Sequence, residues 1–131
     1  MLDARNRPNA DFHRDERDLC TPRPMHSLLE RVWKGKLLKP EPRKLLLGVM
    51  SRTSTGTNRV RARLPQGVPF ASKSGSAAVD VGFLTLPENR GTVALGAFVM
   101  ASPLTMPERE AVMADIGRLL CDYFVLASSP A

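Results

Sequence analysis

The sequence predicts an α+β chain: a three-stranded antiparallel sheet, a C-terminal helix packed on it, and upstream helices from a partner helical region. Three observations predict it. Two apolar runs, Val79–Leu86 and Thr92–Met100, flank the turn residues Pro87-Glu88-Asn89-Arg90-Gly91, the pattern of a hairpin. Thr105-Met106-Pro107-Glu108 is a helix start in which Glu108 reaches back to the N-cap. A broad stripe of Val112, Ile116, Leu119, Leu120, Tyr123 and Phe124 follows it. Upstream, Met25, Leu28, Leu29, Val32 and Trp33 recur at helical spacing.

Taken in order, residues 1–22 are polar and punctuated by proline, with no period of a helix or strand, and read as loop. A helical segment occupies 23–64. Its first helix opens at Thr21 or Pro22 and runs to about Lys34, where Gly35 stops it. A second begins near Pro40 and Pro42 and continues through Lys44–Met50. Ser51–Thr57 is a hydroxyl-rich loop containing Gly56, and Asn58–Leu64 carries a short helix. Residues 65–131 hold the sheet and the closing helix, and together the three segments form one incomplete domain. The opening strand is Pro69-Phe70-Ala71-Ser72-Lys73-Ser74-Gly75-Ser76, entered through the turn Leu64-Pro65-Gln66-Gly67. Both faces of the later strands are apolar, as in strands in the middle of a sheet covered on both sides, which demands more protein than the hairpin itself. Ala127–Ala131 is a frayed tail, and there is no internal repeat.

The opening strand holds the candidate site. Alternation sends Lys73 and Gly75 to one face and Ser74 and Ser76 to the other, yet at a twisted edge all four can reach one ligand. Lys73 brings a positive charge and Ser74 a donor for a carboxylate. Gly75 removes the side chain that would keep a substrate off the strand, and the Ser76 N–H can support an oxyanion.

The neighbours of this triplet resemble the C-terminal part of a class A serine β-lactamase. The similarity runs through Ser51-Arg52-Thr53-Ser54-Thr55-Gly56-Thr57-Asn58-Arg59-Val60-Arg61-Ala62-Arg63-Leu64-Pro65, the Lys73-Ser74-Gly75 strand, Val79-Asp80-Val81-Gly82 and the helix from Pro107. Asp15-Glu16-Arg17-Asp18 and Thr21-Pro22 look like the end of that family's omega loop. The resemblance implies a partial β-lactamase/transpeptidase-like fold, a β-lactam substrate, no cofactor and no metal. It also implies hydrolysis of the β-lactam amide through an acyl-serine intermediate. Lys-Thr/Ser-Gly is one of the family's three active-site elements, beside Ser-x-x-Lys and Ser-Asp-Asn. The other two are absent: Ser27 meets Glu30, Ser51 meets Ser54 and Ser72 meets Gly75, and no Ser-Asp-Asn occurs. The catalytic set is therefore incomplete, and the expectation is a truncated enzyme inactive by itself. Arg59, in its Thr-Gly-Thr-Asn-Arg setting, matches the arginine that in some members reinforces carboxylate binding, as a planar fork suits that anion. Asn9 matches the asparagine that helps hold the deacylating water. At the position of the family's omega-loop glutamate this chain offers Arg5 or Asn6, and neither is a base.

Composition bounds the remaining readings. With 131 residues, 43% hydrophobic and 24% charged, this is the make-up of one soluble domain. The net charge of +6 and the eleven basic residues against Glu41 between Arg31 and Lys73 raise an alternative, a small basic nucleic-acid-binding or structural protein. Aromatics at 5% supply few stacking platforms, so no nucleic acid is expected as partner. Cys20 and Cys121 fit no metal spacing or disulfide framework, and His13 and His26 read as surface histidines. No apolar run reaches the roughly 20 residues of a membrane span, and no signal peptide opens the chain. Relatives of the resembled family are periplasmic or secreted, whereas this chain as written is expected to stay in the cytoplasm.

Overall fold

A computed structural model of the 131-residue chain describes residues 20–75 and 78–127. The expected omega-loop remnant, Asn9 and Ser76 lie outside them. Proline starts both upstream helices, where its missing N–H removes a donor the helix would leave unpaired anyway. Helix α1 spans Pro22–Trp33 and α2 spans Pro40–Ser51. Gly35, at φ +68°, ends α1 in a Schellman turn. Lys36 N–H bonds Arg31 O at 2.9 Å and Gly35 N–H bonds Val32 O at 3.1 Å. Arg43 Nη1 then donates to Trp33 O at 2.9 Å, tying the start of α2 to the end of α1.

The three strands, β1 (Phe70–Gly75), β2 (Val79–Thr85) and β3 (Thr92–Phe98), form one antiparallel sheet in the order β1-β2-β3. The register sets Ser74 opposite Asp80 and Asp80 opposite Ala97. Helix α3, Met106–Ala127, starts as its sequence foretold: the backbone N–H and hydroxyl of Thr105 both donate to Glu108 Oε2 at 2.7 Å. The expected α+β class is thus observed, with three α-helices and a three-stranded antiparallel sheet among the described residues.

Two apolar clusters explain why both strand faces are hydrophobic. On one face Val60, Phe70, Leu84, Leu86, Leu95 and Ala97 pack with Met113 and Cys121 of α3. On the other, Val81 and Phe83 pack with Leu29 and Val32 of α1 and Met50 of α2, and the Trp33 and Phe83 rings lie 5.2 Å apart. The covering layers are helices on either side. Only β2 is flanked by strands on both sides among the described residues, so the expectation of mid-sheet strands holds for β2 and not for β3.

The expected helix over Asn58–Leu64 contracts to a single 3₁₀ turn, Val60–Arg63. Pro65 forces Leu64 into an extended conformation, with ψ 145°, and Arg59 is non-helical on the other side. Gly117 lets this turn sit against α3, since a Cβ there would come within 2.5 Å of Val60 O. That contact fixes where Arg59 and Arg61 emerge. The two cysteines are free, Cys20 exposed and Cys121 buried. No described helix is long and apolar enough to cross a membrane.

Candidate active-site strand

Strand β1 lies at one edge of the sheet, and its Lys73-Ser74-Gly75 end is held from behind by the segment that precedes the 3₁₀ turn. Gly56 makes this approach possible. It sits at φ +68°, and a Cβ would come 3.0 Å from the Ser74 Cβ. The neighbouring Thr55 places its Oγ1 2.7 Å from Ser74 Oγ, and Thr53 Oγ1 donates to Ser72 O at 2.7 Å. The hydroxyl-rich loop is thus stitched along the strand.

Arg59 is buried at 8% exposure and bridges three elements. Its Nη1 donates to Gly75 O at 2.7 Å and to Val79 O at 2.9 Å, closing the two ends of the β1–β2 hairpin onto one cation. Its Nε donates to Glu110 Oε1 of α3 at 3.1 Å. A guanidinium presenting its fork outward would keep its donors for a ligand, whereas here three of five N–H groups are spent on protein. Burial is the reason, because an arginine drawn this far from water must be satisfied internally.

Arg61, which the sequence left without a role, fixes the other end of the strand: Nη1 donates to Thr53 O at 2.9 Å and Nη2 to Phe70 O at 2.7 Å. Lys73 is exposed, and its Nζ donates to the carbonyl of Ser74. The structure therefore brings Lys73, Ser74, Gly75 and Arg59 together, with Thr55, Arg61 and Glu110 as residues that sequence reasoning did not assign to the site. The i to i+51 pairing of Glu110 with Arg59 has no local signature.

Beside Ser74, as its partner on β2, stands Asp80, 1% exposed, with Oδ1 bonded to nothing among the described residues. Burial pushes its pKa from 3.8 up to about 6, against the pull of Arg59, Arg61, Lys73 and a hydrogen bond from the Val60 N–H. The arrangement offers a cationic strand edge with a positioned hydroxyl pair. The bonded serine hydroxyls elsewhere serve the backbone: Ser51 donates to Gly48 O, and Ser102 accepts from the Leu104 N–H. Among the described residues no three His, Cys, Asp or Glu side chains gather as a metal would require.

Comparison with known proteins matches residues 1–124 to the sequence profile of the β-lactamase enzyme family. The β-lactamase VEB-1 of Pseudomonas aeruginosa is 28% identical over 126 residues, covering 88% of this chain and 42% of the relative. A β-lactamase of Mycobacterium tuberculosis is 37% identical over 68 residues, 52% of this chain and 22% of its own. Among solved structures, the TLA-1 extended-spectrum β-lactamase superposes with a TM-score of 0.75 at 30% identity, covering 80% of this chain and 41% of that one. A β-lactamase from Chitinophaga pinensis gives 0.70 at 33% identity, over 75% and 39%. The chain thus spans about two fifths of the length of its most extensive matches.

Proposed function

Because the chain belongs to the β-lactamase enzyme family, we propose that its Lys73-Ser74-Gly75 edge is the wall of a β-lactam site that holds the substrate carboxylate and the reacting carbonyl. The hydrogen bond from Arg59 Nη1 to Gly75 O at 2.7 Å carries this reading, since it puts a buried cation directly beneath that edge. Lys73 supplies the mobile charge and Ser74, oriented by Thr55, the hydroxyl donor. Arg59 holds the strand end through Nη1 and adds field to it, and its Nη2 group is the part left to reach an anion. The backbone N–H of Ser76 is the candidate oxyanion donor, and Asn9 the candidate water-positioning residue.

The family reaction requires a nucleophile activated by a base and a second activated water. The 131 residues contain no Ser-x-x-Lys and no Ser-Asp-Asn. This polypeptide by itself therefore binds without turning over, since losing the nucleophile removes covalent catalysis outright. Nitrocefin incubated with purified 1–131 protein tests this. Hydrolysis at the rate of buffer alone agrees with the proposal, and turnover that scales with protein concentration refutes it.

The use of the arginines also weighs against a nucleic-acid role. Arg59 and Arg61 are drawn inward and bond carbonyls of the protein, which withdraws those two cations from any outward patch.

A further inference from the structure

The one buried carboxylate oxygen without a partner among the described residues, Asp80 Oδ1, belongs to the cross-strand partner of Ser74 on the neighbouring strand β2. Nothing in the proposed chemistry uses it. Its surroundings can be named element by element. From the 3₁₀ turn and the residue before it come the Val60 N–H and the guanidinium groups of Arg59 and Arg61. From β1 comes Lys73. On α3, Glu110 is paired with Arg59, and β3 presents uncharged Ala97 as the other cross-strand partner of Asp80. Neither arginine spends its bonds on Asp80. They go to Gly75, Val79 and Glu110 from Arg59, and to Thr53 and Phe70 from Arg61. The carboxylate is thus close enough to feel both cations and bonded to neither.

A negative charge in that position, on the strand next to the edge, acts on anything held along that edge. In a low-dielectric interior it subtracts from the field that Arg59 and Lys73 project at the edge, with little water between to screen it. When the carboxyl is protonated the subtraction ends while the shape stays the same.

We propose that Asp80 is a positioning residue whose charge sets how strongly the Lys73-Ser74-Gly75 edge holds an anionic ligand, the neutral form binding it more tightly than the ionised one. The proposal rests on the reading of that edge as an anion-binding wall. Its proton equilibrium falls in a usable range, because burial moves the group to about 6.

The test follows benzylpenicillin binding to the full 1–131 chain by NMR titration between about pH 8 and about pH 5. The expected result is an affinity roughly five-fold higher at the acid end, the size of one imperfectly screened charge. The Asp80→Asn variant should bind at the acid-end level throughout. His26 is exposed on α1, which packs on the opposite face of the sheet, and it is unchanged in that variant. A measurement on the unaltered protein makes the test independent of the variant's folding. By linkage, saturating ligand must raise the midpoint of the Asp80 carboxyl carbon titration by about 0.7 pH unit, the logarithm of that fold-change. A variant with the wild-type pH profile, or a midpoint that ligand does not move, overturns the proposal and leaves the edge standing. Absence of binding by wild type at every pH overturns the edge and the proposal together.

Discussion

A guanidinium whose side chain is 10% exposed has little water left around it, so Arg59 must be solvated by protein. Glu110 and two carbonyls do this, and the dependence is mutual. Replacing Arg59 by alanine strands a carboxylate that is itself only 18% exposed and frees two carbonyls; the expected loss of stability is about 3 kcal/mol. Arg59→Lys should recover only part of it, since an ammonium cannot reach Glu110 and both carbonyls in one planar geometry. Urea unfolding of the three proteins measures this, and an alanine variant within about 0.5 kcal/mol of wild type contradicts it. Asp80 makes a prediction of opposite kind. Its carboxyl titrates near 3.8 when unfolded and about 6 when folded, so between those values the native chain binds more protons. Stability therefore falls as pH rises from about 4 to about 6, by on the order of 2 kcal/mol, and Asp80→Asn flattens that slope. Glu30 and Glu108, held low by Lys34 and Thr105 respectively, oppose this slope only at its acid end, around and below their ordinary 4.5, and both are unchanged in Asp80→Asn. Thermal melts at both ends of the window, with and without the substitution, decide it. At this scale the sequence was only partly legible. Lys73, Ser74 and Gly75 announce themselves by type and adjacency. Arg61, Thr55 and Glu110 do not, because their partners lie up to 51 residues away and depend on how the layers meet.

Elements were more legible than residues because their signals are local. Proline at the start of α1 and α2, glycine after α1, and the Thr105–Glu108 pair each mark a boundary that the backbone then adopts. The capping pair invites a direct check. Glu108→Ala leaves the Thr105 N–H and hydroxyl without their acceptor and should lower the thermal melt followed by circular dichroism; an unchanged melt would show that the pair does not hold the helix start. The 3₁₀ turn was misjudged in length because the flanking constraints, Pro65 after it and the bonded Arg59 before it, act against a periodicity that looks helical. Its seat on α3 depends on one missing methyl group. Gly117→Ala would place a Cβ 2.5 Å from Val60 O and should destabilise by about 1–3 kcal/mol, despite alanine's better helix propensity. A melt raised by that change would show that the turn is not pressed against α3.

For the molecule as a whole, the apolar surface is the telling quantity. Leu119, Tyr123 and Leu126 on α3 are 68%, 64% and 73% exposed, and Leu45 and Val49 on α2 stand out beside them. Of the stripe read from α3, Leu120 and Phe124 pack against the core and Ile116 is half-buried, but Val112, Leu119 and Tyr123 are exposed; the helix's deepest residues, Met113, Ala114, Gly117 and Cys121, lie outside that stripe. Periodicity reports which positions are apolar, not how much protein is present to cover them. The central claim is that the strand edge above Arg59 is where an anionic β-lactam is held. Mapping benzylpenicillin-induced shifts onto the backbone amides tests it most directly. The account predicts perturbations concentrated at Thr55, Arg59, Lys73, Ser74 and Gly75 and abolished in Lys73→Ala; shifts confined to α1 and α2, or unaffected by that substitution, would contradict it.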